Sequence, residues 1–114
     1  MSKKRADRVS RMIREVVSET LAFKLRNPEF KKVTVHRVTV TDNLKYARIF
    51  VSISGSEEEQ KSAFAALTKA KGAFKREIGA VAQMKFMPEI EFKHDKSLDY
   101  VDHISELLRN LNRE

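Results

Sequence analysis

Basic side chains cluster around one break in the middle of a helical pattern. The break is Ala70-Lys71-Gly72, which interrupts a run of helix-favouring residues. Residues 69–85 carry five basic residues against one acidic residue, a net charge of +4. Ammonium and guanidinium groups donate charge-assisted hydrogen bonds to phosphate oxygens. This segment therefore predicts a surface that binds a polyanion.

A second block of positive charge lies at the N-terminus. Residues 1–14 carry six basic residues against Asp7, a net charge of +5. Because the whole chain carries +7, everything outside the two blocks sums to −2. Such an excess favours nucleic acid or an anionic membrane surface as the partner. Our candidate contact residues come from both blocks and are Arg5, Arg8, Arg11, Lys69, Lys71, Lys75, Arg76 and Lys85.

The break combines its charge with an unusual backbone position. Gly72 lies inside an apolar stripe that continues through it at helical spacing, formed by Phe64, Leu67, Ala70, Phe74, Ile78 and Val81. A glycine in a helix costs about 1 kcal/mol relative to alanine. One explanation is that a neighbouring helix packs closely against Gly72. The other is that Ala70 and Gly72 let a ligand backbone approach, while the new helix N-terminus directs amides at a phosphate. We take Ala70 and Gly72 as the shape-determining residues of a helix kink.

Most kinds of catalytic and cofactor site have no counterpart in the sequence. Gly55, Gly72 and Gly79 are the only glycines, so no GxxG, GxGxxG or Walker A loop can form. There is no cysteine, hence no disulfide and no thiolate zinc site. No serine lies in a G-x-S-x-G setting. We therefore predict a protein that is not an enzyme and that holds no cofactor.

One set of residue types could ligate a metal. It is formed by His94, Asp95, Asp99 and His103, of which Asp99 and His103 are one helical turn apart. Ordinary turn and surface use of these residues is favoured, so we predict no metal site. The third histidine, His36, falls within a predicted strand.

The elements that must position the kink alternate between helical and strand patterns. Residues 7–26 show one apolar helix face and end before Pro28. Residues 33–41 and 46–54 are rich in β-branched residues and are separated by an Asp-Asn turn, which predicts an antiparallel hairpin. Ser56 and Glu59 form a capping box that begins the kinked helix pair.

The last third of the chain predicts one more strand and one more helix. Residues 84–93 alternate in polarity, and Pro88 predicts an edge strand or a bulge because proline cannot donate to a ladder. A short C-terminal helix is expected to begin at Ser97 or Asp99. The fold class is therefore α+β, a single domain over residues 1–114, with a basic arm over residues 1–6 whose charge favours disorder until a ligand binds.

Three partner classes compete for the basic surface. A basic helix lying on a membrane is disfavoured because the strands need a helix to cover them, and no run of about 18 apolar residues could span a bilayer. A DNA reader needs a helix free to enter the major groove, whereas this basic helix is tied to a sheet, as in RNA modules. A basic protein–protein adaptor without specific RNA binding remains the alternative of a different class.

The order of these elements resembles a type II KH domain, α-β-β-α-α-β. Over residues 5–108 the sequence further resembles the ribosome-binding factor A family. Four stretches carry this resemblance, namely LRNPEF, HRVTVTDNLKYARIFVSI, LTKAKGAFKREIGAVAQMKFMPEIEF and DKSLDYVDHISELL. That family replaces the KH GxxG loop with an Ala-x-Gly kink, and Ala70-Lys71-Gly72 matches it here.

The resemblance implies a bacterial, cytoplasmic assembly factor that acts as a monomer. It implies binding to the small (30S) ribosomal subunit and its 16S rRNA, help with late maturation and 5′-end processing of that RNA, and adaptation to cold. It implies no nuclease activity. We also expect no membrane partner and no small-molecule substrate. Some family members carry a long charged C-terminal tail, which this chain lacks, so functions of that tail are not expected.

Overall fold

A computed structural model describes residues 3–82, 87–97, 104, 107–109 and 111. The elements in chain order are α1 (Lys3–Glu19), a π-helical turn (Thr20–Lys24), a 3-10 turn (Pro28–Lys32), β1 (Val33–Val40), β2 (Tyr46–Ile53), α2 (Glu57–Lys69), α3 (Lys71–Ala82) and β3 (Glu89–His94). This order confirms the predicted α+β architecture with a three-stranded sheet.

The sheet has the order β1-β2-β3, with β2 in the centre. β1 and β2 are antiparallel, which confirms the predicted hairpin, and the register shifts between Val35 and Arg37. β3 pairs with β2 in parallel. A parallel pair needs a long crossover connection, and α2 and α3 supply it. The kink is therefore part of the connection that brings β3 to the edge of the sheet.

One face of the sheet is covered by helices and forms the core. On β2 the alternation is as predicted, since Ala47, Ile49, Val51 and Ile53 are all buried. Across from them, Phe74 of α3 is fully buried and makes edge-to-face contacts. Its ring centroid lies 6.2 Å from that of Phe30 and 5.2 Å from that of Phe92. Phe74 thus joins α3 both to the 3-10 turn and to β3.

The first helix differs from the prediction of one helix over residues 7–26. It begins at Lys3, and its α-helical hydrogen bonding ends at Glu19, where the π-helical turn follows. The buried Thr20 hydroxyl donates to the Val16 carbonyl oxygen at 2.7 Å. Such a side-chain bond competes with the helical ladder and favours a distortion. Residues 3–6 are helical, so the arm predicted for residues 1–6 is at least partly continuous with α1.

The last strand begins later than predicted. Residues 84–93 were expected to be extended, whereas β3 starts at Glu89. Pro88 therefore lies just before the ladder, and β3 is an edge strand, as the proline predicts. Met84, Lys85 and Phe86 lie outside the described residues, and so does most of the predicted C-terminal helix, including Asp99 and His103.

Candidate nucleic-acid interface

The kink is a bend at a single residue. The capping box predicted at Ser56 and Glu59 is present and begins α2. Ala70 alone separates α2 from α3, with φ −87° and ψ 4°. The Ala70 amide still donates to the Ala66 carbonyl oxygen at 3.0 Å, and the Ala70 carbonyl oxygen accepts from the Phe74 amide at 3.1 Å. The Ala73 amide donates to the Ala70 carbonyl oxygen at 2.9 Å instead of to the Lys69 carbonyl, so the α-helical ladder is interrupted at the bend and resumes at Phe74.

Gly72 is open to solvent on the outer surface of the kink. A Cβ atom built at this position would meet no heavy atom within 4 Å. Its backbone does not have the positive φ that would require glycine. The explanation by close helix packing is therefore wrong. The apolar stripe through the kink is shorter than predicted as well, because Val81 is 57% exposed while Leu67, Phe74 and Ile78 are buried.

The basic residues of the kink divide between two sides. On one side lies a depression of about 490 Å³ between α2 and β3, which we call the sheet-side cleft. Its polar lining residues are Thr68, Lys71, Glu91, Lys93 and His94. Next to it, the Lys75 ammonium lies 3.1 Å from Glu89 Oε1. Positive and negative groups thus alternate along this side.

On the other side lies a groove of about 520 Å³ between α2 and residues 25–30, which we call the loop-side groove. Lys69 and Arg26 line it, and both are exposed. Among the described residues, neither side chain is held by an ion pair or a side-chain hydrogen bond. The cations of this groove are therefore available to a ligand.

Lys32 pairs with two carboxylates, one of which, that of Glu29, lines the loop-side groove. The Lys32 ammonium lies 3.4 Å from Glu29 Oε1 and 3.1 Å from Glu59 Oε2. The Ser56 backbone amide, helped by Lys32, lowers the pKa of Glu59 to about 2. The Ser62 hydroxyl and then Lys32 lower the pKa of Glu29. Both carboxylates stay ionised at neutral pH, and Lys32 partly offsets their charge.

The N-terminal block lies at the far end of α1 from the kink. Arg5, Arg8 and Arg11 are exposed on the first half of α1, whereas the kink adjoins residues 25–30, just beyond its other end. At 1.5 Å per residue, Arg11 and Leu25 are about 20 Å apart along the helix. The Lys24 ammonium pairs with Glu77 at 2.5 Å, which ties this end of α1 to α3 and raises the pKa of Lys24. The structure therefore presents two separate basic surfaces.

Other kinds of site are not seen in the described part of the chain. No group of three or more His, Asp or Glu side chains there could hold a metal ion. Within the same ranges, none of the helices has the length and apolar character needed to cross a bilayer.

Comparison with known proteins places this architecture in a family. The family model described as ribosome-binding factor A matches residues 5–108. The ribosome-binding factor A of Brevibacillus brevis is 42% identical over 114 residues, which cover 100% of this chain and 94% of that protein. The chain belongs to the ribosome-binding factor A family.

Solved structures of family members share the fold. The crystal structure of ribosome-binding factor A from Thermus thermophilus superposes with a TM-score of 0.68 at 19% identity, covering 78% of this chain and 94% of that one. A homology model of the Thermus thermophilus protein, fitted into a cryo-EM map of its complex with the 30S subunit, gives a TM-score of 0.61 at 20% identity. It covers 74% of this chain and 88% of that one.

The predicted contact residues have different positions with respect to these surfaces. Lys69 faces the loop-side groove, and Lys71 and Lys75 face the sheet side. Arg76 is exposed on α3, and Lys85 lies outside the described residues. Their role as contacts stays a prediction.

Sequence reasoning missed two cations, Arg26 and Lys93, that line the groove and the cleft. Both lie outside the charge-rich segments, so only tertiary structure brings them to the kink.

Proposed function

We propose that this protein is a ribosome assembly factor that binds the small ribosomal subunit through its 16S rRNA. It assists late maturation of that RNA, including processing of the 5′ end, and supports growth in the cold. It acts as a cytoplasmic monomer and catalyses no reaction itself. Membership of the ribosome-binding factor A family supports the proposal, as does the complex of the Thermus thermophilus protein with the 30S subunit.

The observation that carries the proposal is the set of unpaired cations on two surfaces. Within the described residues, no ion pair holds these basic side chains, which are Arg5, Arg8, Arg11, Arg26, Lys69, Lys71 and Arg76. A cation that is already neutralised must lose its partner before it binds phosphate. These cations need no such step, so each can displace counterions from RNA directly.

Lys75 can also bind phosphate, at a small cost in free energy. Its pair with Glu89 is solvent-exposed, with 32% and 69% of the two side chains accessible. Exposed pairs of this kind are worth about 0–1 kcal/mol. A phosphate that approaches the kink can therefore take Lys75 from Glu89.

The distance between the surfaces suggests how binding assists maturation. About 20 Å along the helix separates Arg11 from Leu25, which lies beside the kink, and this exceeds the Debye length of about 8 Å at physiological salt. The two surfaces thus bind RNA as separate anchors on one rigid body. An RNA conformation that satisfies both anchors at once is stabilised over those that satisfy one.

The test is binding to purified small subunits across a salt series. Six phosphate contacts predict a log–log slope of affinity against salt of about −5 by analogy with duplex DNA. Replacing Arg5, Arg8 and Arg11 by alanine removes three contacts and reduces the slope to about half. Association that is insensitive to salt, or equal binding to any acidic polymer, would reject specific rRNA binding and favour the adaptor.

The proposal that the protein does not itself cleave RNA is tested separately. Precursor 16S rRNA incubated with the purified protein should remain uncut, while the same RNA in cell extract is processed. Cleavage by the protein alone, lost when its kink cations are replaced, would reassign it as a nuclease.

A further inference from the structure

The loop-side groove has a floor of small apolar side chains. Ala66 of α2 and Ala70 at the kink are one helical turn apart and half-buried, and Ala65 beside them is exposed. Phe30 and Leu25 form part of the opposite wall. Because alanine ends at Cβ, the α2 wall is shallow and has no long side chain that could fill the space.

The rim of the same groove is polar and positively charged. Arg26 and Lys69 line it without ion pairs among the described residues. Asn27 also lines it, and its Oδ1 accepts a hydrogen bond from the Glu29 amide at 3.0 Å. The Nδ2 group of this exposed side chain makes no hydrogen bond within the described residues, so its donors are available to a ligand.

The one carboxylate in the lining is that of Glu29, whose side chain is 26% exposed. Glu29 Oε2 is buried and makes no hydrogen bond with a described residue, while Oε1 is paired with Lys32. A carboxylate repels phosphate, but Lys32 partly offsets the charge of this one. Because Arg26 and Lys69 line the same groove, the net charge of the lining is positive.

The size, charge and position of the loop-side groove together indicate which kind of ligand it binds. A volume of about 520 Å³ lies in the range of small-ligand sites, about 300–1,000 Å³. A flat apolar floor suits the face of a nucleobase, and two cations at the rim suit its phosphate. Ala70 belongs both to this groove and to the kink, so an RNA strand bound at the kink continues into the groove. Sequence-reading proteins commonly bind RNA bases that are unpaired and splayed out.

We propose that the loop-side groove holds one unpaired nucleotide of the bound RNA, with its base on the alanine floor and its phosphate between Arg26 and Lys69. This inference rests on the proposed function. It adds a base contact on the opposite side of the kink from β3. A base contact gives the protein a means to distinguish one RNA site from other RNA of equal charge.

The test fills the groove without changing charge. Ala66→Leu should weaken binding to small subunits about tenfold, because the leucine side chain occupies the space of the base and the contact is lost. Ala65→Leu, at an exposed position where folding is not at risk, should weaken binding as well. The matched control is Ala80→Leu, an exposed alanine on α3, which should bind like the unchanged protein.

A second measurement separates the base from the phosphate. Adenosine monophosphate, ribose 5-phosphate and an acidic peptide are each titrated while the methyl NMR signals of Ala66 and Ala70 are followed. The proposal expects saturable shifts with the nucleotide and much smaller shifts with the other two. Equal shifts with ribose 5-phosphate would show that the groove binds only an anion. Larger shifts with the peptide would show that it binds protein instead of a nucleotide.

The two proposals fail in different ways. If Ala66→Leu and Ala65→Leu bind subunits as tightly as the control, the base contact is rejected, while salt-dependent binding would still support the rRNA proposal. If no variant and no salt concentration alters subunit binding, the proposed function itself is rejected.

Discussion

The two sides of the kink use similar charges in different ways. In the sheet-side cleft, Lys71 lies beside Glu91, and the neighbouring Lys75 is paired with Glu89. In the loop-side groove, Arg26 and Lys69 have no acidic partner among the described residues. Net charge counted along the sequence would not distinguish the two sides. The structure shows that Arg26 and Lys69 on the loop side have no ion pair within the described residues, whereas on the sheet side Lys75 is paired with Glu89.

Because of this difference, we expect the two sides of the kink to contribute differently to the position of the lysines and to the affinity for RNA. On the sheet side, Glu89 of β3 pairs with Lys75, and Glu91 lines the same cleft as Lys71 without an ion pair, so the acidic residues of β3 reduce the attraction of this side for RNA. On the loop side, Glu29 is paired with Lys32, and Arg26 and Lys69 have no ion pair within the described residues. Both sides are supported by the buried ring of Phe74. Substitutions can therefore be ordered from this core residue to the surface of each side.

The largest effect is expected at the residue that supports both sides. Phe74→Ala removes a fully buried ring that contacts Phe30 beneath the loop side and Phe92 beneath the sheet side. Such truncations cost about 3–5 kcal/mol. Denaturant unfolding should show this loss, together with loss of subunit binding. Stability within about 1 kcal/mol of the unchanged protein, the size of an ordinary surface substitution, would mean that the sides do not share this support.

Reversing the sheet-side charges should have the next largest effect. Lys71→Glu combined with Lys75→Glu places four carboxylates along this side, since Glu89 and Glu91 remain. We expect affinity for small subunits to fall by about tenfold or more, and the melting temperature to change little because only an exposed pair is lost. The matched control is Lys31→Glu with Lys61→Glu, two exposed lysines that line neither the cleft nor the groove. Equal loss in both variants would show an effect of net charge alone.

Freeing a sheet-side lysine should do the opposite. Glu89→Gln removes the partner of Lys75 at 3.1 Å, so Lys75 becomes as available as Lys69. Affinity should rise by about twofold to fivefold, the range that corresponds to an exposed ion pair. Glu58→Gln at the start of α2 makes the same charge change away from the kink, and it should have a smaller effect. Weaker binding by Glu89→Gln would show that the pair positions Lys75 for RNA.

The smallest effect is expected at the glycine between the two sides. Gly72→Ala adds a methyl group into open space. It should raise the free energy of unfolding by about 0.4–1 kcal/mol, because alanine restricts the unfolded chain. If RNA approaches this position closely, subunit binding should weaken although the protein is more stable. A loss of stability would restore the packing explanation that the structure rejects.

Much of the fold could be predicted because local patterns agree with tertiary packing. The alternation Ala47, Ile49, Val51 and Ile53 specifies one buried face of β2, and the capping box at Ser56 specifies where α2 begins. The π-helical turn at Thr20 could not be predicted, because the apolar spacing of α1 is compatible with a regular helix. The start of β3 was missed because alternating residues can be extended without pairing.

The candidate site could be predicted only in part. Local sequence shows the kink and its charges, since Ala70, Lys71 and Gly72 are neighbours. It does not show that Lys75 meets Glu89, that Arg26 joins Lys69 in one groove, or that space is open at Gly72. Each of these facts depends on residues far apart in the chain, or on what packing leaves uncovered.

The central claim is that the kink touches 16S rRNA, and the absence of cysteine allows a direct test. Gly72→Cys introduces one thiol at an open position, to which a short photoactivated crosslinker is attached. A chain with Asp42→Cys, in the exposed hairpin turn, is the matched control. After irradiation of complexes with small subunits, position 72 should crosslink to a discrete site in 16S rRNA and position 42 should crosslink far less. Equal crosslinking from both positions, or none from position 72 while the protein remains bound, would contradict the account.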